Sequence, residues 1–245
     1  RRTLEAIRAG FEARHSVAHT MIERFSDTVG GAEAVSALER YGDRLHIAGR
    51  RRVIAVDAPT GRLLWRSPTI SGRHPAIAAL AAGSRTVYVG GSFTGFGGED
   101  RGGLAAIDAS GGRLLPWKAS VSTDVGYLAL SSSRLYVAGT HRVAAVRRSN
   151  GRSTGFSPRA ALDGIGALAV AGRLVLVGGG ESGGVVDART GRLVPGYAFD
   201  QVRAAQGIAL KGSTAYLGGW FGGKDYLIAI DLRTARFEKW FPRLP

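Results

Sequence analysis

From about residue 34 onward one pattern recurs five times, and this constrains the chain more than any other feature. A unit of ~40 residues that cannot bury its own apolar face must stack on its neighbours. Each unit opens with a short apolar run: Val35 to Leu38, Ile77 to Leu80, Tyr127 to Leu130, Ile165 to Val170, Ile208 to Leu210. A small polar turn leads to a second run: Leu45 to Gly49, Val87 to Gly91, Leu135 to Gly139, Leu174 to Gly178, Ala215 to Gly219. A third ends at Asp57, Asp108, Arg147, Asp187 or Asp231, positions separated by 51, 39, 40 and 44 residues. A more variable fourth segment closes near Trp65, Trp117, Phe156, Tyr197 or Trp240. Four short strands per ~40 residues is the period of a β-propeller blade. Alternation in runs such as Val87-Tyr88-Val89 sends side chains to both faces of a sheet, as a sheet sandwiched between two others requires. The glycines ending these runs are expected to provide bulges or tight turns.

The third slot reads as a hairpin turn. In Asp57-Ala-Pro-Thr60-Gly61 and Asp187-Ala-Arg-Thr190-Gly191 the carboxylate is placed to accept backbone and hydroxyl hydrogen bonds while glycine supplies positive φ. Recurrence in four of the five units assigns these aspartates to structure, and the tryptophans after them to anchoring between units.

The same residues resemble a known family. Ala55-Val-Asp57-Ala-Pro-Thr60-Gly61-Arg-Leu-Leu-Trp65 is similar to the blade motif of quinoprotein-like (PQQ-like) β-propellers, and Ala106 to Trp117 is a slightly longer copy. The stretch Val87 to Gly98 resembles delta-60-type bacterial envelope repeats. Unit three departs, with Arg147 and Phe156 in the Asp and Trp slots, and unit five has Ala235 in the glycine slot. The resemblance implies an all-β propeller of about five recognisable four-stranded blades over residues 31–245, following an amino-terminal segment 1–30. In that segment Leu4, Ile7, Phe11, Ala18, Ile22 and Phe25 fall on one stripe of an amphipathic helix. Because the chain starts at Arg1, a processed form or a piece of a longer propeller is expected.

Composition narrows the chemistry. The absence of cysteine excludes disulfides, thiolate metal sites and a cysteine nucleophile. A quinoprotein dehydrogenase resemblance would imply a calcium-bound quinone and, in many members, an adjacent-cysteine disulfide; the disulfide is impossible here and a coherent Glu, Asn and Asp calcium set is not seen. No cofactor is expected. The net charge of +14 is almost all arginine, and apart from Arg50, Arg51 and Arg52 and the pair Arg147 and Arg148 the arginines fall singly at turns and strand ends with no basic helix, so a solvated basic surface is expected rather than a dedicated nucleic-acid site. No run approaches the ~18 apolar residues of a transmembrane helix.

Candidate sites are few. The loops entering the central channel carry Glu33, His74, Asp124, Asp163 and Arg203, and His74, Asp124, Asp163 and Arg203 are the candidate ring for a small polar or anionic ligand. Glu99 and Asp100, in the glycine-rich insertion Gly95 to Gly103, offer two carboxylates to calcium. Glu12, His15, His19 and Glu23 align on one helical face, a spacing that suits a divalent metal and equally suits ordinary salt bridges. The expected function is a non-enzymatic binding or scaffolding module, bacterial and extracellular or at the cell envelope, with a protein or a small polar or anionic partner. The alternatives are a divergent quinoprotein-type oxidoreductase, or a basic module for anionic glycan or nucleic acid.

Overall fold

A computed structural model describes residues 35–120, 125–158, 164–179, 184–197, 205–221 and 224–238. These form twenty strands, with no helix among the described residues. The first sheet is an antiparallel meander of β1 (Ala37–Tyr41), β2 (Arg44–Ala48), β3 (Val53–Asp57) and β4 (Leu63–Arg66). After β5 (Ile70–Ser71), the second sheet comprises β6 (Ala76–Ala82), β7 (Thr86–Ser92) and β10 (Leu104–Asp108). Between β7 and β10 the insertion folds as a hairpin, β8 (Gly95–Phe96) and β9 (Glu99–Asp100), that pairs with β5. The third sheet is β11 (Tyr127–Leu130), β12 (Arg134–Ala138) and β13 (Val143–Arg147), and the fourth is β14 (Ala167–Ala171), β15 (Leu174–Gly178) and β16 (Gly184–Asp187). The fifth is β17 (Ala205–Lys211), β18 (Thr214–Phe221), β19 (Lys224–Asp231) and β20 (Arg236–Phe237).

The leading strands β1, β6, β11, β14 and β17 lie each against the next, so successive sheets stack face to face around them. The alternation read from the sequence explains the packing. Val87 and Val89 point to the seam with the first sheet, meeting Ala48, Val53, Ala55 and Trp65, whereas Tyr88 between them points to the third sheet and meets Leu135, Val137 and Val146. Further seams repeat this between sheets three and four, around Tyr136, Phe156 and Val177, and between four and five, around Leu176, Tyr197 and Leu217. Each fully buried Val, Leu or Ile contributes ~1.5–3 kcal/mol relative to exposure, so the seams rather than the sheets alone hold the stack together.

Two expectations require correction. A full fourth strand exists only in the first and fifth sheets; elsewhere the fourth segment makes a single bridge, Ile107 with Leu114, Val146 with Ser153 and Val186 with Leu193. Pro116 and Pro195 follow two of these bridges and cannot donate to a ladder. The register of β6 on β7 slips between Ile77 and Ala79, opposite Gly91 and Gly90, as expected of a bulge, and the glycines at the ends of β7 and β15 also admit a neighbouring backbone. A Cβ at Gly91 would lie 2.1 Å from the Ala76 carbonyl oxygen, and one at Gly178 would lie 2.5 Å from that of Ala205. The boundaries of the first strands also shift: β1 runs on through Arg40 and Tyr41, whose polar or exposed side chains carry no apolar signal. The expected amino-terminal helix over residues 1–30 lies outside the described residues.

Candidate interaction surfaces

Of the expected ring, His74 stands exposed in the loop between β5 and β6, while Asp124, Asp163 and Arg203, like Glu33, lie outside the described residues. The helical set Glu12, His15, His19 and Glu23 lies outside them as well. Of the insertion's two acids, Glu99 approaches Arg101 at 3.9 Å. Among the described residues no group of three or more His, Asp or Glu side chains gathers around a common point.

The seams contain a repeated latch. The residue following each third strand donates its N–H to the residue just before the second strand: Ala58 to Asp43, Ala109 to Arg85, Arg148 to Ser133, Ala188 to Arg173 and Leu232 to Ser213, at 2.7–3.0 Å. Its carbonyl then accepts from an aromatic side chain of the preceding sheet. Trp65 Nε1 donates to Ala109 at 3.0 Å, Tyr88 Oη to Arg148 at 3.3 Å and Tyr136 Oη to Ala188 at 2.9 Å. Tyr197 Oη donates to Leu232. Arg44 and Arg134 add guanidinium donors to Ala109 and Ala188. Ala58 holds the acceptor position in the first sheet, which no sheet precedes among the described residues.

Three of the four latches are fed by a pair of ring side chains, one from the middle of the second strand and one from the closing segment. His46 packs tilted against Trp65, while Tyr88 meets Trp117 and Tyr136 meets Phe156 edge to face, with ring centroids 5.2–5.6 Å apart. In each latch one aromatic side chain reaches the carbonyl. Trp117 Nε1 and His46 Nε2 are buried without a hydrogen-bond partner. His46 Nδ1 lies 3.3 Å from the Glu39 carbonyl, and burial holds the imidazole pKa below its ordinary value.

The aspartates cap turns. Asp57 accepts from Thr60 N at 3.0 Å and from the Thr60 hydroxyl, and Asp108 accepts from Ser110 Oγ at 2.6 Å and Gly111 N at 2.7 Å. Asp187 accepts from Thr190 N and Oγ1, both at 2.9 Å, and Asp231 from Arg233 N at 2.7 Å. The Ser110 hydroxyl holds the Asp108 carboxyl below the usual range, as Arg173, 2.9 Å from Asp187, does for Asp187. In each aspartate Oδ1 accepts from residues two or three positions on and caps the turn, and Asp187 Oδ2 also accepts from Arg173 across the hairpin.

What remains for recognition lies at the ends and along the outer seams. On the first sheet Val35, Leu38 (59% exposed) and Tyr41 are open to solvent, and on the fifth so are Leu210, Trp220 (58%) and Phe237. Basic clefts follow the seams. One of about 560 Å³ is bounded by Tyr88, Trp117, Lys118, Arg148 and Asn150, and one of about 450 Å³ by Arg173, Arg189, Arg192, Leu193 and Tyr197. The sequence reading concentrated on channel loops and carboxylates and passed over these arginines, whose singly spaced positions give no run; only the adjacent pair Arg147 and Arg148 stood out.

Stacked antiparallel meanders with contiguous leading strands and polar latches between sheets define a β-propeller repeat protein. The family model described as "Outer membrane protein assembly factor BamB", a PQQ-like repeat, matches residues 49–209, well over half of the chain, and the chain belongs to that family. Among solved structures it is similar to the computationally designed protein Ika8, with 20% identity and a TM-score of 0.61 over 83% of this chain and 60% of that one. The WD40 domain of Neurospora crassa Pan2 is similar at 14% identity, with a TM-score of 0.61 over 82% of this chain and 62% of that one. The chain thus spans about three fifths of the length of either, and at these identities the likeness concerns the fold. No curated protein matches.

Proposed function

We propose that the five sheets are five blades of a propeller and that the chain is a non-enzymatic module that binds a protein partner, at the bacterial cell envelope or outside the cell. The observation that carries this reading is the exposure of Val35, Leu38 and Tyr41 on the first sheet and of Leu210, Trp220 and Phe237 on the last. Apart from Leu193, the other large apolar side chains among the described residues are buried or half-buried, and exposed apolar groups favour protein contact. The family description, an assembly factor for outer membrane proteins, supports both the kind of partner and the location. No helix among the described residues is long and apolar enough to cross a membrane.

The test is a photo-crosslinking residue placed at Leu38 or Trp220 in the producing cell, with His74 as the comparison position. Crosslinks to protein from Leu38 and Trp220 and none from His74 are expected. Dye reduction by the purified chain after addition of quinone and calcium would overturn the reading in favour of an oxidoreductase. Salt-dependent retention on heparin with no protein crosslink would overturn it in favour of an anionic-polymer module.

A further inference from the structure

The glycine-rich insertion contains a buried cation that the fold leaves incompletely paired. Arg101 immediately follows β9 and is 4% exposed. Its backbone is fixed by donation of its N–H to the Thr94 carbonyl at 2.8 Å, which closes the insertion back on itself. The guanidinium has five N–H donors. One Nη donates to the Asp100 carbonyl at 2.8 Å and the other to the Leu115 carbonyl at 3.1 Å, whereas Nε is buried with no acceptor. The nearest carboxylate oxygen, Glu99 Oε2, is 3.9 Å away on a side chain that is 63% exposed, beyond hydrogen-bond distance and largely in water.

A guanidinium removed from water is normally paired by charge as well as by hydrogen bonds. Here two neutral carbonyls hold it in place and the charge has no close partner. It lines a cavity of about 460 Å³ together with Thr94, Asp100, Leu104, Lys118 and Ala119. Lys118 supplies a second, exposed cation, Asp100 a single exposed acid, and Leu104 and Ala119 an apolar wall. Fixed donors in a recess with a second cation beside them suit a planar oxyanion, which the guanidinium can meet through N–H donors that its two carbonyl bonds leave over.

We propose that this cavity is a binding site for a carboxylate, held by Arg101 from within and by Lys118 at the surface. Arg101 provides orientation, since its position is set by the Asp100 and Leu115 carbonyls before a ligand arrives. Lys118 provides attraction, and Asp100 and Glu99 oppose it. The carboxylate has two possible sources, a small free dicarboxylic acid or an acidic side chain of a polypeptide, and the same residues serve either. The inference is independent of the apolar end faces discussed above.

The experiment is isothermal titration of the whole chain with succinate and, separately, with a hexaglutamate peptide, at low and moderate salt. Binding of at least one probe is expected, weakening with salt. Binding of both, or of succinate alone, assigns the site to small acids, and binding of the peptide alone assigns it to acidic polypeptide. Arg101→Gln should weaken binding at least about tenfold, the loss of one charge-assisted contact. Because Arg101 also ties two carbonyls, the exposed positions provide a second arm that leaves folding intact. Lys118→Ala should weaken binding about threefold or more, and Glu99→Gln should tighten it severalfold. Failure of both probes to bind, or binding that Lys118→Ala and Glu99→Gln leave unchanged, would overturn the proposal.

Discussion

The latch makes a quantitative prediction about two tryptophans in the same sequence slot. Trp65 is 7% exposed and its Nε1 donates to Ala109 at 3.0 Å. In Trp65→Phe that bond is lost, at ~1 kcal/mol, and the smaller ring leaves space in a packed seam, at roughly 1–2 kcal/mol more. Ala109 retains its bond from Arg44, so no orphaned acceptor adds to the cost. The total is about 2–3 kcal/mol. Trp117 occupies the equivalent slot, but there the Tyr88 hydroxyl and not the indole reaches the carbonyl, and Trp117 Nε1 is buried and unpaired. Trp117→Phe therefore loses no bond and removes a donor whose burial costs ~1–3 kcal/mol, which offsets the lost packing of a half-buried ring. The two substitutions should differ by about 2 kcal/mol, which at ~2–4 °C per kcal/mol for a chain of this size corresponds to a Tm difference of about 4–8 °C. Thermal unfolding followed by circular dichroism measures it. Equal drops in Tm, or a larger drop for Trp117→Phe, would refute the account of a bonded indole at Trp65 and an unpaired one at Trp117.

Two further predictions address the turns and the buried imidazole. Gly151 has φ +73° and a Cβ there would lie 1.9 Å from the Lys118 carbonyl oxygen, so Gly151→Ala adds a backbone clash to the ~1–2 kcal/mol left-handed cost and should lower stability by about 3 kcal/mol or more in denaturant titration. Ala235 already adopts φ 56° in the same slot, so Ala235→Gly should leave stability unchanged or raise it by up to about 1 kcal/mol. Burial lowers the His46 pKa, so the unfolded chain binds a proton there before the folded chain does; stability attributable to His46 is complete above about pH 6.5 and declines as pH falls below it. His46→Phe should flatten the Tm profile between about pH 6.5 and 5, and an unchanged slope would contradict this.

The sequence displays the seams and conceals the site for a physical reason. Two-residue alternation with apolar groups at both phases, as in Val87-Tyr88-Val89, can satisfy only a sheet covered on both faces, and the structure buries the three residues against two different neighbours. The Asp-to-Gly turn is equally local, since Asp57 bonds to a residue three positions away. Arg101 is different. Its environment is made by Thr94, Leu115 and Lys118, residues 7, 14 and 17 positions away, and its unpaired Nε exists only because both Nη atoms find carbonyls. Nothing in the spacing of Glu99, Asp100 and Arg101 indicates that the acids face water and the base does not. The fourth strands failed for a related reason: an apolar residue near Trp117 or Tyr197 predicts a strand, but whether a ladder extends past one bridge depends on donors that proline removes.

The latch also has a direction, and this bears on what the two end faces can accept. In every described seam the aromatic donor belongs to the earlier sheet and the accepting carbonyl to the later one. The first sheet carries the acceptor position at Ala58 and, on its face away from the second sheet, the buried cluster of Ile47, Ile54 and Val56 with exposed Leu38 paired to Ile47, whereas the fifth presents Trp220 on the face away from the fourth and Leu210 and Phe237 on the face toward it. The two end sheets are therefore not equivalent. A self-complementary patch of the kind that supports a two-fold dimer needs the same groups on both sides, so apolar area alone is not enough to pair either face with itself in the geometry of a seam.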